Sequence, residues 1–182
     1  MTQWANVLVL SDHGMSATSR DRSIVLDDYI SPGDVDVIDL SPTVGLNPKP
    51  GKDQVVYAGL QRAPHLHVYR KADSPERWRY RDHPRIPAIV GVVDEGWQLL
   101  SRTAVEAIDA GKRPRVTGEH GYDPRDASMR AVFVAAGPAF REGATVPAFE
   151  NVSLYNVFAR VLGVTPAKND GDPAVVDRLL KR

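Results

Sequence analysis

The chain has 182 residues, long enough for one domain with a sizeable core. Its 23 basic and 23 acidic residues cancel to a formal net charge of zero, which argues against a general nucleic-acid-binding or membrane-surface protein while leaving room for a local patch. Cysteine is absent, which excludes disulfides and thiolate metal sites, so any metal would sit on His, Asp or Glu.

No apolar run approaches the roughly 20 residues of a membrane span. Met1-Thr2-Gln3-Trp4 lacks the basic segment and apolar stretch of a signal peptide. Asn6 to Leu10 (NVLVL) is a continuous apolar run, the pattern of a central strand buried on both faces. It stops at Ser11-Asp12-His13-Gly14. A domain rarely opens on a central strand, so further sequence upstream is expected.

From about residue 20 to 117 short apolar segments recur, at Val35 to Leu40, Gln54 to Leu60, Leu66 to Tyr69 and Ile86 to Val93. Pro and Gly punctuate them, which predicts strands and turns with one or two helices. Ser101 to Ala110 fits a loop or a weak helix. Met129 to Ala136 is a second buried-strand candidate, ended by Gly137-Pro138. The apolar spacing over Asn151 to Leu162 predicts a helix with Gly163 as its stop. Asp172-Pro173 then resembles the start of a closing helix that carries Val175, Val176, Leu179 and Leu180. Strands with helices late in the chain favour α/β architecture.

Two segments carry candidate chemistry. Asp12 and His13 follow a predicted strand, and ligands gather at the carboxyl ends of strands in open α/β sheets. A carboxylate oxygen and an imidazole nitrogen are both good zinc ligands. The stretch equally fits a strand-end Asp satisfied by backbone amides beside a surface His. Gly118-Glu119-His120-Gly121-Tyr122-Asp123 again sets a His between glycines and next to carboxylates. Glu119 and Asp123 are placed to accept from an imidazole and fix its orientation. They also fit solvated loop charges.

The other histidines are weaker candidates. His65 and His67 share one face of a strand and fit sheet-surface residues better than a metal pair. Asp82-His83 precedes Pro84 and reads as loop. Arg77, Arg79 and Arg81 alternate with Trp78 and Tyr80, which fits a strand with one charged face better than a nucleic-acid patch.

Taken in order, NVLVLSDHGM, SPERWRYRDHPRIPAIV, GEHGYD, MRAVFVAAGPAF and FENVSLYNVFARVLGVTPAKNDG resemble the nucleotide pyrophosphatase/phosphodiesterase family of the alkaline phosphatase superfamily. The likeness runs from Asn6 to about Gly171. It implies an α/β fold, the C-terminal portion of an α/β/α sandwich with an inserted strand-rich region. Residues 1–19 and 118–182 would form the metal-site core, and about 20–117 the strand-rich region.

The resemblance also implies two zinc ions, with Asp12 and His13 matching ligands of one and His120 a ligand of the other. Such a pair, roughly 4 Å apart, activates a nucleophile and stabilises phosphoryl oxygens. The family's nucleophile is a Thr or Ser upstream of SDHGM, followed by in-line attack and a covalent phospho-enzyme that water opens. That position and the family's remaining ligands have no counterpart in these residues. The expectation is therefore a hydrolase of phosphodiester and pyrophosphate bonds in nucleotides, with weak zinc binding and no useful turnover by the isolated chain. Exposed apolar surface and self-association are expected with it. A non-catalytic remnant domain and a piece of a related phosphonate hydrolase are the alternatives. Family members are commonly periplasmic or extracellular.

Overall fold

The computed structural model describes residues 5–181. The stretch Met1 to Trp4, on which the signal-peptide reading rests, lies outside the described residues. Among the described residues ten strands and four α-helices follow in chain order: β1 Val7–Leu10, β2 Ser16–Ala17, β3 Ser23–Val25, β4 Val35–Asp39, β5 Thr43–Pro48, α1 Asp53–Leu60, β6 Leu66–Arg70, β7 Ile89–Val93, β8 Gln98–Leu100, α2 Arg102–Asp109, β9 Gly118–Glu119, β10 Phe133–Ala136, α3 Leu154–Leu162 and α4 Ala174–Leu179. The chain is mixed α/β, and it divides into two compact units. One takes residues up to Gly14 and from Ala131 onward, and the other takes Met15–Arg130. Among the described residues, no helix is long and apolar enough to cross a membrane.

The unit Met15–Arg130 is built on a four-stranded antiparallel sheet in the order β4-β5-β7-β6. Central strand β7, sequence IVGVV, is buried at every position, as its unbroken apolar run requires. Leu46, Leu60, Ile89 and Leu99 are fully buried in the core of this unit. Gln54 to Leu60, one of the short apolar segments, is helical. Val56, Gly59 and Leu60 face the core together, an i, i+3, i+4 stripe whose three-residue step a strand would split between its two faces. Gly59 lets that helix approach closely, because a Cβ there would come within 2.5 Å of the Tyr29 carbonyl oxygen. Ser101 to Ala110 resolves as helix α2, started by the Ser101 hydroxyl accepting from the Ala104 amide at 3.2 Å.

Arg77 to Arg81 is not a strand. Glu76–Trp78 forms a single 3₁₀ turn after Pro75, and Arg79 is left-handed at φ 49°. Pro75 supplies no N–H for a ladder, and the turn reverses the alternation that a charged strand face would need. Two further pairs complete this unit. β3 runs parallel to β8, and β2 pairs antiparallel with β9 in the register Ser16↔Glu119.

In the other unit β1 pairs antiparallel with β10, from Val7↔Ala136 to Leu10↔Phe133. The strand within Met129 to Ala136 is confined to Phe133–Ala136, since Ala127–Met129 forms a 3₁₀ turn. Leu8, Phe133 and Ala135 pack on a small core of Phe140, Val157, Val175 and Leu179. The opposite face is bare: Val7, Val9 and Val134 are 57%, 58% and 58% exposed. These strands were expected to be buried on both faces. Among the described residues they have one partner strand each and one covered face. Of the predicted span Asn151 to Leu162, Asn151–Ser153 is a 3₁₀ turn and α3 takes Leu154–Leu162; it ends at Gly163, whose φ of 69° terminates it without a Cβ penalty. Asp172 accepts from the Ala174 amide at 2.9 Å and opens α4.

Candidate functional site

Asp12 and His13 leave the end of β1 in a turn that three hydrogen bonds hold. The Ser11 amide donates to the Val132 carbonyl at 3.1 Å, and the Val132 amide donates back to Ser11 Oγ at 3.0 Å. Asn151, just before α3, donates to the Asp12 carbonyl at 3.0 Å. The Asp12 side chain is 82% exposed and takes the His13 amide on Oδ1 at 3.0 Å.

His13 Nδ1 lies 2.7 Å from the Gly14 carbonyl oxygen. A carbonyl only accepts, so this contact is a hydrogen bond in the tautomer whose Nδ1 carries the hydrogen and whose Nε2 carries the lone pair. Nε2 is 3.3 Å from Asp12 Oδ2. Two ligands about 2.0 Å from a tetrahedral zinc stand roughly 3.3 Å apart, so the pair has the separation of two donors on one ion.

The second segment lies in the unit Met15–Arg130. Here β9 pairs with β2, and the chain turns at Gly121, whose φ is 101°. His120 is exposed at the apex. The residues around it are anchored one by one. Glu119 accepts from Ser41 Oγ at 2.7 Å. Tyr122 is buried and donates to the Trp97 carbonyl at 3.0 Å, and burial pushes its phenol up to about 12. Asp123 accepts from the Arg125 amide at 3.0 Å and forms an ion pair with Arg77. Burial alone would raise the Asp123 carboxyl, but the Arg125 amide and the Arg77 guanidinium outweigh it and hold it below the ordinary aspartate value.

Sequence reasoning missed Ser41, Arg77 and Trp97. Their only signal is Arg77 inside SPERWRYRDH, which alternation made into a strand face. Among the described residues no three His, Asp or Glu side chains are grouped to hold a metal. The donor types fit zinc and the Asp12–His13 spacing fits one ion, but the number of donors does not close a site.

The remaining histidines serve elsewhere. His65 precedes β6 at φ 61° and stacks on Trp97 with ring centroids 3.7 Å apart. Asp94 bridges it to His67, with Oδ2 at 2.8 Å from His65 Nδ1 and Oδ1 at 2.7 Å from His67 Nε2. Burial would raise the Asp94 carboxyl, yet these two bonds keep it below its ordinary value. His83 lies in a loop and accepts the Arg85 amide at 3.2 Å.

The fold places the chain in a known class. It superimposes on murine ectonucleotide pyrophosphatase/phosphodiesterase 5 with a TM-score of 0.88 at 37% identity, over 97% of this chain and 46% of that one. The match to an inactive variant of the murine protein in complex with AMP has a TM-score of 0.85 at 38% identity, over 96% of this chain and 45% of that one. The class is thus that of α/β phosphodiesterase folds of the alkaline phosphatase type. The family profile described as type I phosphodiesterase / nucleotide pyrophosphatase matches residues 1–123, and the chain belongs to that family.

Among curated relatives, ectonucleotide pyrophosphatase/phosphodiesterase family member 5 of Homo sapiens is 38% identical over 91% of this chain and 33% of its own length. Family member 7 of Rattus norvegicus is 33% identical over 100% of this chain and 41% of its own length. The bis(5'-adenosyl)-triphosphatase of Bos taurus is 37% identical over 91% of this chain and 35% of its own. The chain therefore spans well under half the length of the curated relatives it matches.

Proposed function

We propose that the chain carries part of the two-zinc site of a hydrolase for phosphodiester and pyrophosphate bonds in nucleotides. Asp12 and His13 would hold one zinc, and His120 would hold the other. The single observation that carries this reading is the Asp12–His13 pair, a carboxylate oxygen and an imidazole Nε2 set 3.3 Å apart at a strand end. An Nδ1–H donated to the Gly14 carbonyl would leave Nε2 to bind the metal. When bound, the zinc pair lowers the pKa of a nucleophilic hydroxyl and offsets charge on phosphoryl oxygens. The chain's own contribution is to orient three donors on two anchored turns. A nucleotide as substrate is supported by the AMP complex of the murine relative and by the triphosphatase name of the bovine one.

The residues that match the family pattern here include no nucleophile, so the isolated chain binds zinc weakly and does not turn over. The bare face formed by Val7, Val9 and Val134 favours self-association of the chain on its own. The relatives' names place them outside the cell, and an extracellular or periplasmic setting is proposed for this chain.

The test joins zinc titration calorimetry to hydrolysis of bis-p-nitrophenyl phosphate with added zinc. The expected result is weak zinc binding that Asp12→Asn and His13→Gln abolish, and no turnover. Zinc binding indifferent to both substitutions would remove the ligand assignment. Turnover that His120→Ala abolishes would show a competent site and overturn the inactivity.

A further inference from the structure

The two carboxylates that flank His120 do not have one partner in common. Glu119, one residue before it, takes the hydroxyl of Ser41 at 2.7 Å. Asp123, three residues after it, takes the guanidinium of Arg77. Ser41 stands just ahead of β5, and Arg77 stands in the 3₁₀ turn Glu76–Trp78, so the anchors come from two separate elements.

Each anchor is itself fixed. Ser41 has φ 57°, and its Pro42 ring lies 3.4 Å from where a Cβ on Gly121 would stand. Arg77 lies over the Trp78 ring at 5.7 Å, and Trp78 meets Tyr69 of β6 edge-on at 5.4 Å. Between the anchors Tyr122 is tied to the Trp97 carbonyl. A turn with glycines at Gly118 and Gly121 would otherwise sample many backbone states, since glycine loses more freedom on ordering than any other residue.

Building on the ligand reading of His120, we propose that Ser41 and Arg77 are positioning residues that bracket its turn through Glu119 and Asp123 and hold the imidazole in one place. A charge-assisted guanidinium–carboxylate pair fixes direction as well as distance, so Arg77 is the stronger of the two. Outer partners of this kind set how well a metal-binding side chain is presented.

The experiment is amide hydrogen exchange of the 182-residue chain, read together with the ring ¹⁵N signals of His120, with no metal added. Arg77→Met is expected to speed exchange at Glu119 to Asp123 about tenfold and to average the His120 ring signals, while β5 and β7 amides keep their rates. Ser41→Ala is expected to do the same more weakly. Arg77→Met combined with Asp123→Asn is expected to match the single variants, because both remove one contact. Arg77→Lys is expected to restore the exchange rates in part. Exchange in the turn that is unchanged in Arg77→Met, or that rises evenly across β5 and β7, would overturn the proposal. The two readings fail separately, since these rates involve no zinc and the zinc titration above involves neither Ser41 nor Arg77.

Discussion

The strands β7 and β1 make the same kind of statement in sequence and meet opposite fates. IVGVV and VLVL are both unbroken apolar runs. The first is buried at every position between β5 and β6, with α1 and the core residues behind it. The second has β10 beside it, one covered face and valines more than half exposed on the other. An apolar run therefore states what a strand requires from its surroundings. Burial itself belongs to the neighbours, and β7 finds them within this chain while β1 does so on one side only.

That contrast can be tested by substitution, beginning where the effect is largest. Leu46 of β5 is fully buried in the covered sheet, so Leu46→Ala should cost about 3–4 kcal/mol in urea unfolding, the transfer term plus a cavity. A cost under about 1 kcal/mol would mean that this core is loosely packed and that the comparison fails.

On the bare face the effect moves from stability to association. Val9→Lys with Val134→Glu, an opposite-charge pair on facing positions, should change unfolding free energy by no more than about 0.5 kcal/mol. The same pair should shift the chain toward monomer in light scattering. A large loss of stability would show that this face is covered after all.

The smallest effect concerns pH. The Asp94 carboxyl sits below its ordinary value in the folded chain, so its stabilising contribution is present above the unfolded value and is lost as pH falls through the folded one. Thermal unfolding of wild type should therefore lose a modest increment below about pH 4 that Asp94→Asn does not lose. Parallel curves for the two proteins would mean that the bridge to His65 and His67 adds nothing to the covered sheet.

What could be read in advance was local. The α3 helix and its Gly163 stop follow from spacing and one residue's conformational freedom. The turn after β1 follows from where an apolar run ends, and Asp12 and His13 are there because of it. The family resemblance rested on such segments taken in order. The partners of the GEHGYD carboxylates were not legible, because Ser41 and Arg77 stand 78 and 46 residues away from Glu119 and Asp123. Nothing in a periodicity reports a contact at that separation. The Arg77 to Arg81 stretch was misjudged for a related reason, since its alternation is genuine while Pro75 and the left-handed Arg79 break the backbone that alternation presumes.

The β2–β9 pair is only two residues long on each side, yet it joins both ends of the unit Met15–Arg130. Its consequence is one of folding order. β1 leaves the ribosome roughly 120 residues ahead of β10 and must wait for it. Once β2 and β9 have met, the chain left to close is only about 20 residues, which lowers the entropic cost of joining β1 to β10 by about 1.5 kcal/mol. The pairing of β1 with β10 thereby depends on two residues that belong to neither strand, and a slip at Ser16–Ala17 would delay that pairing without touching either strand.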